Sequence, residues 1–379
     1  MSTKRFTVNP FDDLTLTDED RMKLVQVVDK LALAKFAEYE EHLNNNKKVD
    51  RSRWKKVSTS GTTAAYMERK KSNPNSPLAE MLFVGPLPGT LDENMFGFIN
   101  PTLDSMRINA SYLNNFSAAA VLATIVEPTV DDPFRAVVVK WMEVDIPGAS
   151  FGIVWNRDYV FVEGSGILYL KNGERVGYHV YHSVNFRETH ELPNRVRGDM
   201  SLSAIFRQEG GRTDCRGTGI LALGGEIVSK MAVMKMAQSV MSGMKYSYCG
   251  QMKKLAWLLE QNYTELGNQS ASIVEHHCVT CSKSVKGSLF GKSNTTCRLC
   301  FGALCGSCKV SKKLSFISPD LELSQRKVSF CVKCLVEASR VDTLEVARRQ
   351  LIYKLSVQPD AYSASLAITY TNSCSDESS

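Results

Sequence analysis

Apolar residues first recur at helical spacing after Thr17, where Met22, Leu24, Val25, Val28, Leu31, Ala32 and Leu43 line one side of a helix. Thr17, followed by Asp18, Glu19 and Asp20, supplies an N-cap and an acidic first turn, and the polar run from Asn44 to Lys48 ends the helix. From Trp54 to Met67 the chain reads as a single extended segment, closed by turn residues between Lys70 and Pro77. Between Leu78 and Phe116, Gly85-Pro86, Pro88-Gly89 and Asn100-Pro101 mark breaks, and short helices are expected.

The clearest β pattern lies in the middle. Ala136–Val144, Tyr159–Glu163 and Gly166–Val184 are rich in β-branched and aromatic residues, and Asn172-Gly173 predicts a type I′ hairpin turn. Asp199–Gln208 and Cys215–Gly224 bracket Gly210-Gly211, so these strands should follow one another as an antiparallel meander. A long helix is expected from Gly225 towards Tyr263, broken at Gly243 and Gly250 and carrying Met231, Met234, Met236, Met241, Met244 and Met252. Methionine is flexible and polarizable, so such a helix suits a lid over a changeable apolar volume. Helical spacing returns from Val341 to Val357, and the Ser-rich end should be disordered.

These patterns predict an α+β protein organised as a segment 1–16, a large domain 17–263, a linker 264–274, a small module 275–340, a helix 341–357 and a tail 358–379. Hydrophobic residues make up 43% of the 379, enough for a substantial core. Lys4 and Arg5 are not followed by an apolar run, and no stretch reaches the roughly 18 apolar residues that cross a bilayer. The expected location is the cytoplasm, with peripheral contact to endosomal or other membranes.

Eight of the eleven cysteines change the picture, because they form four Cys-x-x-Cys pairs between 278 and 334. Cys278, Cys281, Cys297, Cys300, Cys305, Cys308, Cys331 and Cys334 suffice for two closed four-thiolate sites, the chemistry of two structural zinc ions. A closed site leaves no position for an activated water, so this module should not catalyse. His276 and His277 are not needed as ligands, and Cys215, Cys249 and Cys374 stand apart. Residues 275–340 carry eleven Lys or Arg against four Asp or Glu, more than the whole chain's +6, so an anionic surface is the expected partner.

The spacing Cys278-Val-Thr-Cys281, Cys297-Arg-Leu-Cys300, Cys305-Gly-Ser-Cys308 and Cys331-Val-Lys-Cys334 resembles a FYVE-type zinc finger. That resemblance implies a cross-brace, with Cys278, Cys281, Cys305 and Cys308 on one ion and Cys297, Cys300, Cys331 and Cys334 on the other. The family reads phosphatidylinositol 3-phosphate through a basic segment that here is Ser293-Asn-Thr-Thr-Cys297-Arg298, in which only Arg298 matches. The finger is therefore FYVE-related. It is expected to meet anionic membrane through Lys286, Lys292, Arg298, Lys312 and Lys313, or else to bind a trafficking protein.

The order of elements in 17–263, with Asn156-Arg-Asp-Tyr159, the Asn172-Gly173 hairpin and Pro193-Asn-Arg-Val-Arg197, resembles a START-like lipid-transfer domain. The resemblance implies a helix-grip fold: a curved antiparallel sheet closed by a long C-terminal helix around an apolar, lipid-like ligand. Residues expected to line that cavity are Arg157, Asp158, Arg195, Arg197, Met231 and Met234. His179 and His182 lie three apart and so face opposite sides of a strand, and no nucleophile elbow or phosphate loop is present. A non-enzymatic lipid-binding or lipid-transfer protein is the expectation. The alternative is a signalling adaptor whose finger binds a protein and whose large domain is a scaffold. Nucleic acid is not an expected partner, since no basic recognition helix accompanies the charge.

Overall fold

A computed structural model describes residues 9–69, 80–113, 118–145, 155–222, 241, 243–266, 277–285, 296–318 and 322–357. The first helix, α1 (Asp18–Asn44), starts where the capping residues place it: Thr17 Oγ1 accepts from the Asp20 amide at 3.2 Å while the Asp20 carboxylate accepts from the Thr17 amide at 3.1 Å.

The expected single strand after Trp54 is a hairpin, β1 (Trp54–Ser60) and β2 (Thr63–Glu68), because Gly61 adopts a left-handed φ of 59° and turns the chain back. A strand, β3 (Met81–Pro88), also precedes the two short helices α2 (Leu91–Phe98) and α3 (Leu103–Leu113). The meander then follows as β4 (Ala118–Val126), β5 (Ala136–Val144), β6 (Asn156–Tyr169), β7 (Arg175–Ser183), β9 (Asp199–Glu209) and β10 (Arg212–Ala222). Short β8 (Arg195–Arg197) runs parallel to β6 beside Asn156–Asp158, beyond the reach of β7.

Among the described residues these strands form one sheet in the order β1-β2-β3-β10-β9-β7-β6-β5-β4. The β6–β7 hairpin stands where Asn172-Gly173 predicted it, but its turn is not type I′. Leu170 and Glu174 close the loop, and of its residues only Gly173 has positive φ, 81°. That is the pattern of a three-residue hairpin loop with one left-handed glycine.

Alternation gives the sheet two apolar faces. On one, Val28, Ala32 and Tyr39 of α1 pack on Val137, Val139, Val162, Val180 and Ile205. Phe11 joins this core, edge-on to Trp141 at 6.1 Å. On the other face lie α2, α4 (Tyr246–Leu266) and α6 (Thr343–Val357), with Met95, Phe98, Trp257 and Val346 packed against Val138, Phe206 and Cys215.

Gly243–Lys245 form a short 3-10 turn that leads into α4, while 223–240, where the helix was expected to begin, lie outside the described residues. No break occurs at Gly250, through which α4 runs uninterrupted. The linker expected at 264–274 starts inside α4, which runs to Leu266, and 267–274 lie outside the described residues together with Met231, Met234, Met236 and the tail 358–379. The helix expected at 341–357 is α6, and it packs on α2 and α4. No helix of the described residues is long and apolar enough to cross a membrane.

Candidate functional site

Two sites follow from this frame, one built of sulfur and one of strand side chains. Cys278, Cys281, Cys305 and Cys308 gather in one group and Cys297, Cys300, Cys331 and Cys334 in another, each with its sulfurs within 4.8 Å of one another. The interleaved pairing is the cross-brace that the family resemblance implied.

Local backbone geometry makes these turns. In the first, the Ser282 amide donates to Cys278 O at 2.8 Å; in the second, the Phe301 amide donates to Cys297 O at 2.8 Å. Ser282 and Phe301 both take left-handed φ, 58° and 57°, which repeats the same knuckle twice. Cys331 instead caps helix α5 (Val332–Arg340), its Sγ accepting from the Cys334 amide at 3.3 Å. Burial raises the Cys278 thiol, but amides of Cys305, Thr280 and Cys281 outweigh it and bring the thiol down to about 6.

The donor set fits a tetrahedral thiophilic ion. Metal–sulfur bonds of about 2.3 Å put tetrahedral sulfurs about 3.8 Å apart. Cys281 Sγ and Cys305 Sγ are 3.7 Å apart, and Cys300 Sγ and Cys331 Sγ are 4.0 Å apart. Each group can therefore hold one metal ion, and four sulfurs close each site.

The second site lies on the α2-facing side of the sheet. At its centre Lys140, 1% exposed, donates to Asn100 O at 2.7 Å and pairs with Glu163, whose other oxygen meets His179 Nε2 at 2.6 Å. Phe98 stacks on the His179 ring at 4.2 Å, and the Tyr181 hydroxyl lies against Glu163. Burial raises the Glu163 carboxyl, but Lys140 and His179 overcome it and hold it at about 2. Lys140, Glu163 and His179 thus satisfy one another beneath α2.

Beyond this row the same face turns apolar. Met81, Met200, Tyr159, Phe161 and Leu221 are buried there, with Met67, Met142 and Leu202 packed against them, and every one of these residues is on a strand. Tyr159 is 1% exposed, yet its hydroxyl has no hydrogen-bond partner among the described residues. Arg157, two residues earlier on β6 and also buried, adjoins it and donates to Trp155 O.

Of the residues expected to line a cavity, only Arg157 shares this face. Asp158 and Arg197 face α1: Asp158 Oδ2 accepts from Trp141 Nε1 at 3.0 Å and from Arg197 Nη2 at 2.8 Å. Alternation requires it, since neighbours on a strand point to opposite sides. Arg195 pairs with Glu143 beside them. Met231 and Met234 lie outside the described residues. Met252 faces the cysteine module, where it is buried with Leu255 and Leu259 of α4.

The four strand methionines and Tyr159 were missed in the sequence. Their signal is alternation from Tyr159 to Phe161 to Glu163 along β6, and it becomes readable only once the face is known. Lys286 and Lys292 lie outside the described residues. Lys312 and Lys313 sit on β11 (Val310–Ile317), paired with β12 (Leu323–Phe330), while Arg298 follows Cys297 in the second knuckle and its amide donates to Ser329 O. His179 and His182 do face opposite sides, His182 meeting Ser201 at 3.1 Å.

No family model matches this chain, and no curated protein matches it. Solved structures do match. Human StAR-related lipid transfer protein 5 is 14% identical with a TM-score of 0.43, covering 60% of this chain and 98% of that one. Human STARD10 is 12% identical with a TM-score of 0.40, covering 65% and 84%. A STAR-related lipid transfer protein from Xanthomonas axonopodis is 15% identical with a TM-score of 0.38, covering 52% and 96%. Likenesses this distant carry no conclusion about what this chain binds.

Proposed function

We propose that the protein is a non-enzymatic binder of one apolar, lipid-like molecule bearing a single hydrogen-bonding head, held against the methionine-lined strands with its head at Tyr159. The supporting observation is the Tyr159 hydroxyl, buried among Met81, Met200 and Leu221 without a partner among the described residues. A buried donor left unpaired costs about 1–3 kcal/mol, which a ligand oxygen would recover. Methionines accommodate varied apolar shapes, as a lipid site requires. Reaction chemistry finds no support here, because the Lys140–Glu163–His179 row is satisfied internally and each cysteine group is closed by four sulfurs.

In the same reading the C-terminal module holds two zinc ions and docks the protein on an anionic membrane surface at the cytoplasmic side. Lys313 and Lys327 stand directly opposite across β11 and β12, both exposed, an arrangement that repels until an anion faces it. Each basic residue near an anionic surface contributes about 1 kcal/mol.

Native mass spectrometry of the purified chain tests the first part. A copurified apolar molecule of one chemical class is expected, and a chain that stays empty after incubation with mixed lipid extract would contradict it. Sedimentation with vesicles tests the second: binding to phosphatidylserine vesicles should fall with salt and need no phosphatidylinositol 3-phosphate. Absence of any vesicle binding at low salt would favour a protein partner for the finger.

A further inference from the structure

Helix α4 belongs to both halves of the molecule. Along one side Met252, Leu255 and Leu259 are buried with Cys278, Cys297 and Phe330 of the cysteine module. Along the other, α4 crosses α2 so closely that a Cβ on Gly250 would stand 2.1 Å from Glu93 O.

Two successive lysines fasten the crossing. Lys253 donates to Phe96 O at 2.6 Å and Ile99 O at 3.0 Å, the carbonyls at the end of α2. Lys254 donates to Ser339 O at 3.2 Å and Val341 O at 2.9 Å, the carbonyls at the end of α5, whose first turn carries Cys334. Asn262 adds a hydrogen bond to Leu299 O, inside the Cys297–Cys300 knuckle. A second strut joins α3 to β11, where the Ser315 amide donates to Tyr112 Oη at 2.8 Å and Ser111 meets Ser315 at 2.7 Å.

We infer that the metal-bound module is a clamp on the α2–α4 layer, so that metal occupancy sets how tightly this layer closes over the Lys140–Glu163–His179 row. A four-thiolate module of this size depends on its metal for its fold. Its folded state supplies the acceptors for Lys254 and Asn262 and the apolar surface that α4 buries. Without metal those partners lose their positions, and α4 keeps its contacts with α2, with α3, where Cys249 Sγ donates to Asn109 Oδ1 at 3.5 Å, and with α6, where Lys254 donates to Thr343 Oγ1 at 3.2 Å. The consequence for ligand release, that a metal-depleted chain lets its ligand go faster, rests on the function proposed above; the clamp does not.

Hydrogen exchange of the full chain, measured without added ligand before and after metal removal by a chelator, tests it. Exchange in 246–262 and 91–98 should quicken by about ten-fold or more, while strands β5 to β7 keep their protection. Unchanged exchange in both segments after both metals have left would overturn the clamp. Should chelation unfold the whole chain, Lys254→Met decides: with two metals retained, faster exchange in 246–262 supports the clamp and unaltered exchange there refutes it. A chain that never holds lipid yet shows metal-dependent exchange would sink the ligand reading alone. One that holds lipid with metal-independent exchange would sink the clamp alone.

Discussion

Gly97 of α2 and Gly250 of α4 face each other at the helix crossing, where a Cβ on Gly97 would stand 1.8 Å from Tyr246 O and one on Gly250 would stand 2.1 Å from Glu93 O. Both obstacles are backbone, so neither can swing aside. Gly250→Ala should therefore destabilise the protein despite alanine's better helix propensity, by about 1–3 kcal/mol. The check is thermal unfolding, with a melting temperature lower by a few degrees. Gly211→Ala is the control: a Cβ there meets nothing within 4 Å, and its effect should stay within about 0.5 kcal/mol.

That crossing also marks where sequence reasoning ends. Inside a helical pattern a glycine reads as a weak point, because local propensity records its entropy cost and not the neighbour it admits. Gly250 looked like a break for that reason.

Strand β3 was hidden the same way by Gly85, Pro86 and Pro88. The ladder tolerates these prolines because β2 pairs with β3 only from Met81 to Val84, leaving Pro86 and Pro88 with β10 as their one strand neighbour. The cysteine module was legible because Cys-x-x-Cys is a local signal. Its ligands come together as the family resemblance implied, whereas the methionine face needed the sheet order before Met67, Met81, Met142 and Met200 could be seen to converge.

Glu163→Gln should be among the costliest single changes. It leaves Lys140, buried and held at Asn100, without its countercharge, a loss of about 3–5 kcal/mol. Replacing both members, Lys140→Met with Glu163→Leu, removes the unpaired charge and should recover much of that loss. Urea denaturation of the single and double variants would check the order; a single variant as stable as the native chain would show that the pair contributes nothing.

Acid should expose the same pair. Glu163 is held at about 2 against an ordinary 4.5, so its contribution is fully present above about 4.5 and is lost as pH falls from there through about 2. Burial also lowers Lys140, with Glu163 opposing that shift. The native chain should lose about 3 kcal/mol across this acid limb. In Glu163→Gln that part of the loss should vanish, which stability measured at several pH values between 2 and 6 would reveal.

Elemental analysis should find two equivalents of zinc, and Cys300→Ser should lower the count to about one, because Cys300 belongs to the Cys297 group and not to the Cys278 group. A variant retaining both metals with unchanged affinity would mean that the four sulfurs do not act as one site.

Tyr159→Phe separates a ligand-reading hydroxyl from a structural one by the sign of two effects. A structural hydroxyl has a partner, so deleting it costs stability. The Tyr159 hydroxyl is buried without one among the described residues, so deletion in the empty protein removes an unsatisfied donor and should raise stability by about 1–2 kcal/mol. If that donor serves the head of a bound molecule, the same change should lower ligand occupancy by about ten-fold, since a hydrogen bond made in an apolar surround is lost. Denaturation of delipidated protein reads the first effect, and native mass spectrometry of lipid-incubated protein reads the second. Lower stability with unchanged occupancy would place the hydroxyl in the scaffold and remove the support for the proposed ligand head.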